Sequence, residues 1–458
     1  MRLILKNFRL VDEENDFCGA LIADDGIITA LLPEGAFSCD GEGAGVIVDG
    51  SCLSSSAVPL VLMPAFVDLH AHFRDPGSSE SGPLPAELPF PSEMIESASL
   101  SAAAGGFGTV VCMANTKPPI DSIEKAAALK NRSDALGLID LYPVLSLTKN
   151  MEGRELSDIF LLLNNDNRNN GGLKNDGIPP GAYVPLMLSE DGKDLADDGL
   201  FLAAMKEAKR IGVPVSCHCD LGGDENNAVR RVIELGKKAG CHIHIAHVST
   251  AAALETIRLA KPVIPAGKFP CATAAPAAEA GFTLSCEAMP HHLCLTEKDA
   301  IALGEKTWGR VNPPLRPEED RQALIQAVAD GTVDAIATDH APHSGADKEA
   351  GAPGFSGFET AFAALYTELV RGGAVVDLKR LSSLMSAGPA RLLGFGQKRG
   401  RMLPGFRADL VIVDTETPWT VDTEAFKSRG KNSPFIGREF YGKILMTLHS
   451  GNIVYNKR

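Results

Sequence analysis

The chain has 458 residues, a formal net charge of −14 and 45% hydrophobic content. That length allows one barrel-sized domain with a smaller companion, or two to three ordinary domains. The acidic balance argues against nucleic acid or an anionic membrane as the main partner, and no run approaches the roughly eighteen uninterrupted apolar residues of a membrane span.

In chain order, the N-terminal stretch "MRLILKNFRLVDEEND" lacks a long apolar core and a small-residue cleavage site, so it reads as a strand and not a signal peptide. "GALIADDGIITALL" and "GVIVDGSCL" continue in the same style, with alternation and Gly/Asp turns that mark antiparallel sheet. The C-terminal runs "RADLVIVDTE" and "KILMTLHSGNIVYNKR" repeat it. Two β-rich ends around a different middle predict one small β-sandwich domain built from residues 1–61 and 397–458.

The middle, 62–396, alternates short apolar strands with amphipathic helices. The strands are expected in "VLMPAFVDLH", "GTVVCMAN", "DLYPVLSLT", "AYVPLMLSE", "VPVSCHC", "HIHIAHVS", "FTLSCEAMP" and "VDAIATD". Helices are expected in "EMIESASLSAAAGG", "DDGLFLAAMKEAKRIG", "ENNAVRRVIELGKKAG", "TAAALETIRLA" and "PEEDRQALIQAVADG". Eight strands with helices between them predict an α/β (β/α)8 TIM-type barrel, preferred over an open doubly wound sheet because no Gly-x-Gly-x-x-Gly turn follows an early strand. The segments 78–93, rich in Pro and Ser, and 164–181, rich in Asn and Gly, read as surface loops. The ten cysteines form no paired framework, which fits a reducing, cytoplasmic setting.

A barrel places its site at the C-terminal ends of the strands. His70 and His72 end the first strand, two apart and hence on one side. An isolated His-x-His is as often a packing pair as a metal site; the company it keeps decides. His218 and His247 end two further strands, and Asp339 ends another, with His340 and His343 behind it. Glu190 and Asp191 close a fifth, where acidic residues are also common helix caps. His242 and His244 lie earlier in their strand and read as packing residues, and Cys217 and Cys219 as structural. Four histidines and at least two carboxylates exceed one tetrahedral zinc with an open position; they suit two metals sharing a carboxylate. Arg74, two further along, repeats the direction of the histidines; a guanidinium beside cations needs an anion between them and suggests a carboxylate-bearing substrate.

The motifs "HAHFRDPG", "NTKPPIDS", "SEDGK", "MPHHLCLT", "NPPLRPEEDR", "ATDHAPH", "GFSGFETAF" and "KNSPFIG" resemble, in this order, those of dihydroorotases of the bacterial type I form, in the amidohydrolase superfamily. The resemblance implies His70 and His72 on a first metal, His218 and His247 on a second, and Asp339 as metal ligand and acid/base. Arg74 and Asn115 would hold the substrate carboxylate, with Asn312, His343 and the backbone at Pro353 and Gly354 as further substrate contacts. Hydantoinases bridge their metals with a carboxylated strand lysine; "AYVPLMLSEDGK" has none within the strand, so Asp191 is the expected bridge, Glu190 a lesser candidate and Lys193 too late.

Implied with these are Zn2+, one or two ions per subunit, and N-carbamoyl-L-aspartate and L-dihydroorotate as the small-molecule substrates of pyrimidine biosynthesis. A homodimer is implied too, and association with an aspartate transcarbamoylase stays open. Departures from the family pattern are the 78–93 loop, "CMANT" for Met-Pro-Asn-Thr, and a short "HCDLGGDENN". The rivals are a hydantoinase- or allantoinase-like cyclic amidase and a non-catalytic transcarbamoylase partner; the second should have lost ligands.

Overall fold

In a computed structural model of the chain, residues 1–36, 45–53, 57–75, 93–158, 183–261 and 281–457 are described. The expected loop at 164–181, and all of 78–93 but Glu93, lie outside the described residues.

Eight parallel strands form the centre: β1 (Phe66–Ala71), β2 (Phe107–Cys112), β3 (Asp140–Pro143), β4 (Leu188–Ser189), β5 (Val215–Cys217), β6 (His242–Ile245), β7 (Thr283–Ala288) and β8 (Ala335–Ile336). β1–β3 pair in sequence, as do β4–β8. Leu145 bridges Leu188 and Ala71 bridges His340, both in parallel, so the two runs join at both edges and the sheet closes into a barrel. Helices cover its outside. The helix Glu225–Ala239 shows how the sequence sets one: Asp224 caps it by accepting from the Asn227 N–H at 3.0 Å, Lys237 and Lys238 fill the last turn, and Gly240 ends it at φ +65°. Its buried stripe Val229, Val232, Ile233 and Gly236 faces the barrel.

The expected first strand, "VLMPAFVDLH", is two strands in different sheets. Val61–Pro64 pairs with Leu410–Val413 and with Arg9–Leu10 in an accessory sheet, and only Phe66–Ala71 enters the barrel. That accessory sheet has eight strands drawn from both chain ends, Arg2–Val11, Asp16–Asp24, Ile27–Pro33, Val46–Asp49, Val61–Pro64, Leu410–Asp414, Lys443–His449 and Asn452–Asn456. It is not wholly antiparallel, because Arg2–Val11 takes two parallel partners, Val46–Asp49 and Val61–Pro64.

The first strand also changes phase. Leu3 and Leu5 alternate inward, then Phe8 and Leu10 do; the register slips between Lys6 and Phe8, where Asn7 stands at φ 61°. This bulge keeps all four side chains in one core despite the odd-to-even switch. In the barrel wall, Phe66 stacks on Phe362 at 5.1 Å and meets Phe107 edge-on at 5.5 Å. Gly106, at φ +90°, lies so close that a Cβ there would stand 2.7 Å from the Phe66 ring.

Asp140, at the start of β3, joins the barrel to the C-terminal segment. Its Oδ2 lies 2.6 Å from Arg399 Nη1, 2.8 Å from Arg407 Nη1 and 3.2 Å from His449 Nε2. Burial pushes this carboxyl up, but the His449 hydrogen bond and the two guanidinium charges outweigh it and hold the group below its ordinary range. A depressed folded-state pKa adds stability that is present above the unfolded value of about 3.9 and is lost as pH falls through the folded one. Asp140→Asn is expected to cost roughly 2 kcal/mol or more near neutrality, since it takes the carboxylate from the buried Arg399 guanidinium, while Arg407 keeps Asp409 at 3.1 Å. Its thermal midpoint should approach that of the parent chain as pH is lowered toward about 3; a gap that stays constant with pH would remove the charge argument. Among the described residues, no helix is long and apolar enough to cross a membrane.

Candidate active site

The strand ends of the barrel bring together His70, His72, Asp191, His218, His247 and Asp339. All six are buried. His70 Nε2 lies 3.4 Å from Asp191 Oδ1, and His247 Nε2 and His218 Nδ1 lie 3.6 and 3.7 Å from the same oxygen. His72 Nε2 is 3.6 Å from Asp191 Oδ2 and 3.0 Å from Asp339 Oδ1. One carboxylate thus faces four imidazoles, mostly beyond hydrogen-bond length. Among the described residues, His70 Nε2 and Asp191 Oδ1 are both buried without a hydrogen-bond partner. Buried orphans are costly unless something sits between them. Two overlapping groups, His70/Asp191/His247 and His70/His72/Asp339, each keep their ligand atoms within 4.8 Å of one another, compatible with a binuclear metal site. His218 stands at the margin, its Nδ1 2.9 Å from His247 Nε2 and its Nε2 3.2 Å from Asn312 Nδ2.

The far sides of the histidines are held. His70 Nδ1 meets Glu287 Oε1 at 2.9 Å, and His72 Nδ1 meets Asn115 Oδ1 at 2.8 Å. With a metal at the centre, each Nδ1–H would donate outward and leave the Nε2 lone pair free to coordinate. Burial pushes the Glu287 carboxyl up, but neighbouring His244 and His70 bring it down to about 2, so it stands ready as an anion. Burial likewise raises Asp339, and the His72 hydrogen bond with the charges of His70 and His247 reverses this to well below the usual range. Asp191 is held low in the same way, against its burial, chiefly by His70.

Backbone conformation helps aim the site. Arg74, His247 and Asp339 stand at φ 55°, 32° and 46°, left-handed values that cost a non-glycine residue about 1–3 kcal/mol each. They follow β1, β6 and β8, at the strand-end turns toward the mouth. Gly192, at φ +81°, finishes the "SEDGK" turn, where a Cβ would lie 3.1 Å from Asn115 Nδ2.

Glu190, the lesser candidate for a bridge, does not face the His/Asp cluster. Its carboxylate turns away, accepting from the N–H groups of Leu147 and Thr148 at 3.0 and 3.1 Å and from the Thr148 hydroxyl. Lys193 points elsewhere too, donating to Met151 O at 3.2 Å. Asn115, expected to hold substrate, is engaged with His72 and with Asp191, 3.3 Å from its Oδ2. Arg74 Nη2 lies 3.2 Å from His343 Nε2, which lies 2.8 Å from Pro353 O. Gly354 O accepts from Lys348 Nζ at 3.0 Å and Asn432 Nδ2 at 2.9 Å, fixing that loop. Among the described residues no carboxylate pairs with Arg74, and its Nε is buried without a partner.

Sequence reasoning missed several supports. Glu287 is the penultimate residue of β7, and His244, read as packing, lies 3.1 Å from it. Asp68 ties β1 to β8, accepting from the His70 N–H at 3.1 Å and from the Thr338 N–H and hydroxyl at 3.0 and 2.5 Å. Its position two residues before His70 was the available signal. Glu225 accepts from the Ser249 and Thr250 N–H groups at 2.9 and 3.2 Å and so pins the turn after His247.

The closed barrel and the carboxylate-centred histidines define a hydrolase site of the amidohydrolase kind, and the amidohydrolase family model matches residues 61–454. The chain is 36% identical to a dihydroorotase of Clostridium botulinum over the full length of both. It is 31% identical to a dihydroorotase of Aquifex aeolicus, covering 99% of each chain. The chain belongs to the amidohydrolase family and, within it, to the dihydroorotases. Among solved structures, an L-hydantoinase from Arthrobacter aurescens superposes with a TM-score of 0.77 at 24% identity, covering 99% of this chain and 96% of that one. At that identity the likeness speaks for the fold alone.

Proposed function

We propose that the site is a dihydroorotase centre, closing N-carbamoyl-L-aspartate to L-dihydroorotate with loss of water, reversibly, as a cyclic amidohydrolase of pyrimidine metabolism. The observation that carries the substrate choice is Arg74, a cation beside the His/Asp cluster that has no carboxylate partner among the described residues. A hydantoin ring brings no carboxylate to it.

His70, His72, Asp191, His218, His247 and Asp339 would hold the metal, with Asp191 shared between two ions. Imidazole nitrogens with carboxylate oxygens suit Zn2+, the ion proposed here. Divalent metal bound there supplies a nucleophile from water near neutral pH and polarises an amide carbonyl. The protein supplies the rest. Arg74 clamps the substrate carboxylate and thereby aligns the reacting amide. Asp339, an anion set against His72, accepts a proton in the hydrolytic direction and delivers it to the departing ring nitrogen. His343 and the Pro353–Gly354 loop, anchored by Lys348 and Asn432, border the Arg74 end. Asn312, against His218, borders the other. A homodimer is the proposed assembly, on the family resemblance.

Arg74→Met tests the clamp. KM for dihydroorotate should rise by roughly 10- to 100-fold, the range for a lost charge-assisted pair, with a smaller change in kcat. An unchanged KM would count against it.

A further inference from the structure

A second concavity, of about 520 Å³, lies between the helices Ile95–Ala104 and Phe358–Leu365 and the last two strands of the accessory sheet. It shares no residue with the His/Asp cluster. Lys427, Lys443 and Lys457 line it, with Trp419 and Tyr455. None of these three ammonium groups forms an ion pair among the described residues. The two carboxylates in the lining already have donors. Glu359 Oε1 accepts from the Ser101 hydroxyl at 2.9 Å and the N–H groups of Lys427 and Ser428 at 2.7 and 3.1 Å, and Asp422 Oδ1 accepts from the Glu424 N–H at 3.0 Å.

The lysines act on one another. Burial, then the charges of Lys443 and Lys427, lower the Lys457 ammonium below its ordinary value, with Glu359 opposing. Its Nζ lies over the Trp419 ring, 5.2 Å from its centre, and the covered indole Nε1–H has no acceptor among the described residues. Three ammonium groups against two carboxylates leave the lining with a net positive charge, which an anion relieves. Lysine ammoniums are point-charge partners for phosphate, and aromatic side chains offer faces and edges to a planar base. The volume matches a small organic ligand and far exceeds a bare ion.

We propose that this pocket binds a nucleoside monophosphate, with its phosphate among Lys427, Lys443 and Lys457 and its base against Trp419 and Tyr455. The proposal does not rest on the reaction assigned to the barrel.

The chain has two tryptophans, and Trp308 is engaged elsewhere, its Nε1 donating to Glu349 at 2.5 Å. A Trp308→Phe variant of the full chain therefore leaves Trp419 as the sole indole reporter. Its fluorescence would be titrated with uridine and adenosine 5′-monophosphates, ribose 5-phosphate and inorganic phosphate, with L-dihydroorotate present to fill the barrel site. The expected result is a saturable change with at least one nucleotide, about tenfold tighter or more than with ribose 5-phosphate or phosphate. Lys443→Gln and Lys457→Gln should each weaken it by about fivefold or more, with thermal midpoint and dihydroorotate turnover unchanged. No saturable change with either nucleotide, equal binding of bare phosphate, or affinity indifferent to both lysine substitutions would overturn the proposal.

Discussion

Asp339→Asn is expected to lower kcat by about 10²–10⁴-fold while changing KM for dihydroorotate by less than about threefold. The amide keeps the size of the side chain and one oxygen for the 3.0 Å contact to His72, but it no longer carries an anion that can take up a proton. Arg74 and His343, which border the substrate's carboxylate end, do not depend on that anion for position; they are held to each other and to Pro353 O. Binding and chemistry should therefore separate. Metal content, measured on the same sample, decides whether the loss is chemical or follows from a lost ligand. Turnover near that of the parent chain would remove Asp339 from the mechanism.

Asp191→Ala should be the more damaging substitution. Bound metal should fall to one ion per chain or fewer, and kcat/KM by at least about 10³-fold, because the carboxylate proposed to be shared would position both ions. The structural reason is that Asp191 Oδ1 faces three imidazole nitrogens at once, at 3.4, 3.6 and 3.7 Å. Glu190→Gln is the matched control, one residue away. Its carboxylate caps Leu147 and Thr148, so the change should cost about 1–3 kcal/mol of stability and leave metal content unaltered. Metal analysis that ranks the two positions the other way would transfer the bridging role to Glu190.

Much of this was legible in the sequence because it depends on local periodicity. His70 and His72 share a strand face two residues apart, and His218, His247 and Asp339 each follow an apolar run that stops. The count of eight such runs implied closure. The supports were not legible, because they are made across the fold: His70 and Glu287 are separated by 217 positions, and nothing beside Glu287 in "LSCEAMP" marks it as a partner. The split of "VLMPAFVDLH" was hidden for a related reason. Both halves are fully buried and the residues around the junction, Leu62–Val67, are all apolar or Pro, so hydropathy gives no seam; the two sheets they join are defined by pairing with Leu410–Val413 on one side and Phe107–Cys112 on the other. The helix Ile123–Leu136 escaped as well, since few of its residues, Ala126, Leu129 and Ser133, are buried and its apolar stripe is weak. Glu190 shows the opposite limit: sequence placed two carboxylates at one strand end, and only the hydrogen bonds say which one turns inward.

The most direct measurement is the ring opening of L-dihydroorotate by the purified chain, beside hydantoin and allantoin, before and after metal is stripped with a chelator and Zn2+ restored. The expected result is turnover of dihydroorotate at least about 100-fold above that of the other two rings, since each lacks the carboxylate that Arg74 would hold, with loss on chelation and recovery on adding Zn2+. Preference for hydantoin or allantoin, or full turnover by the metal-stripped chain, would contradict the assignment.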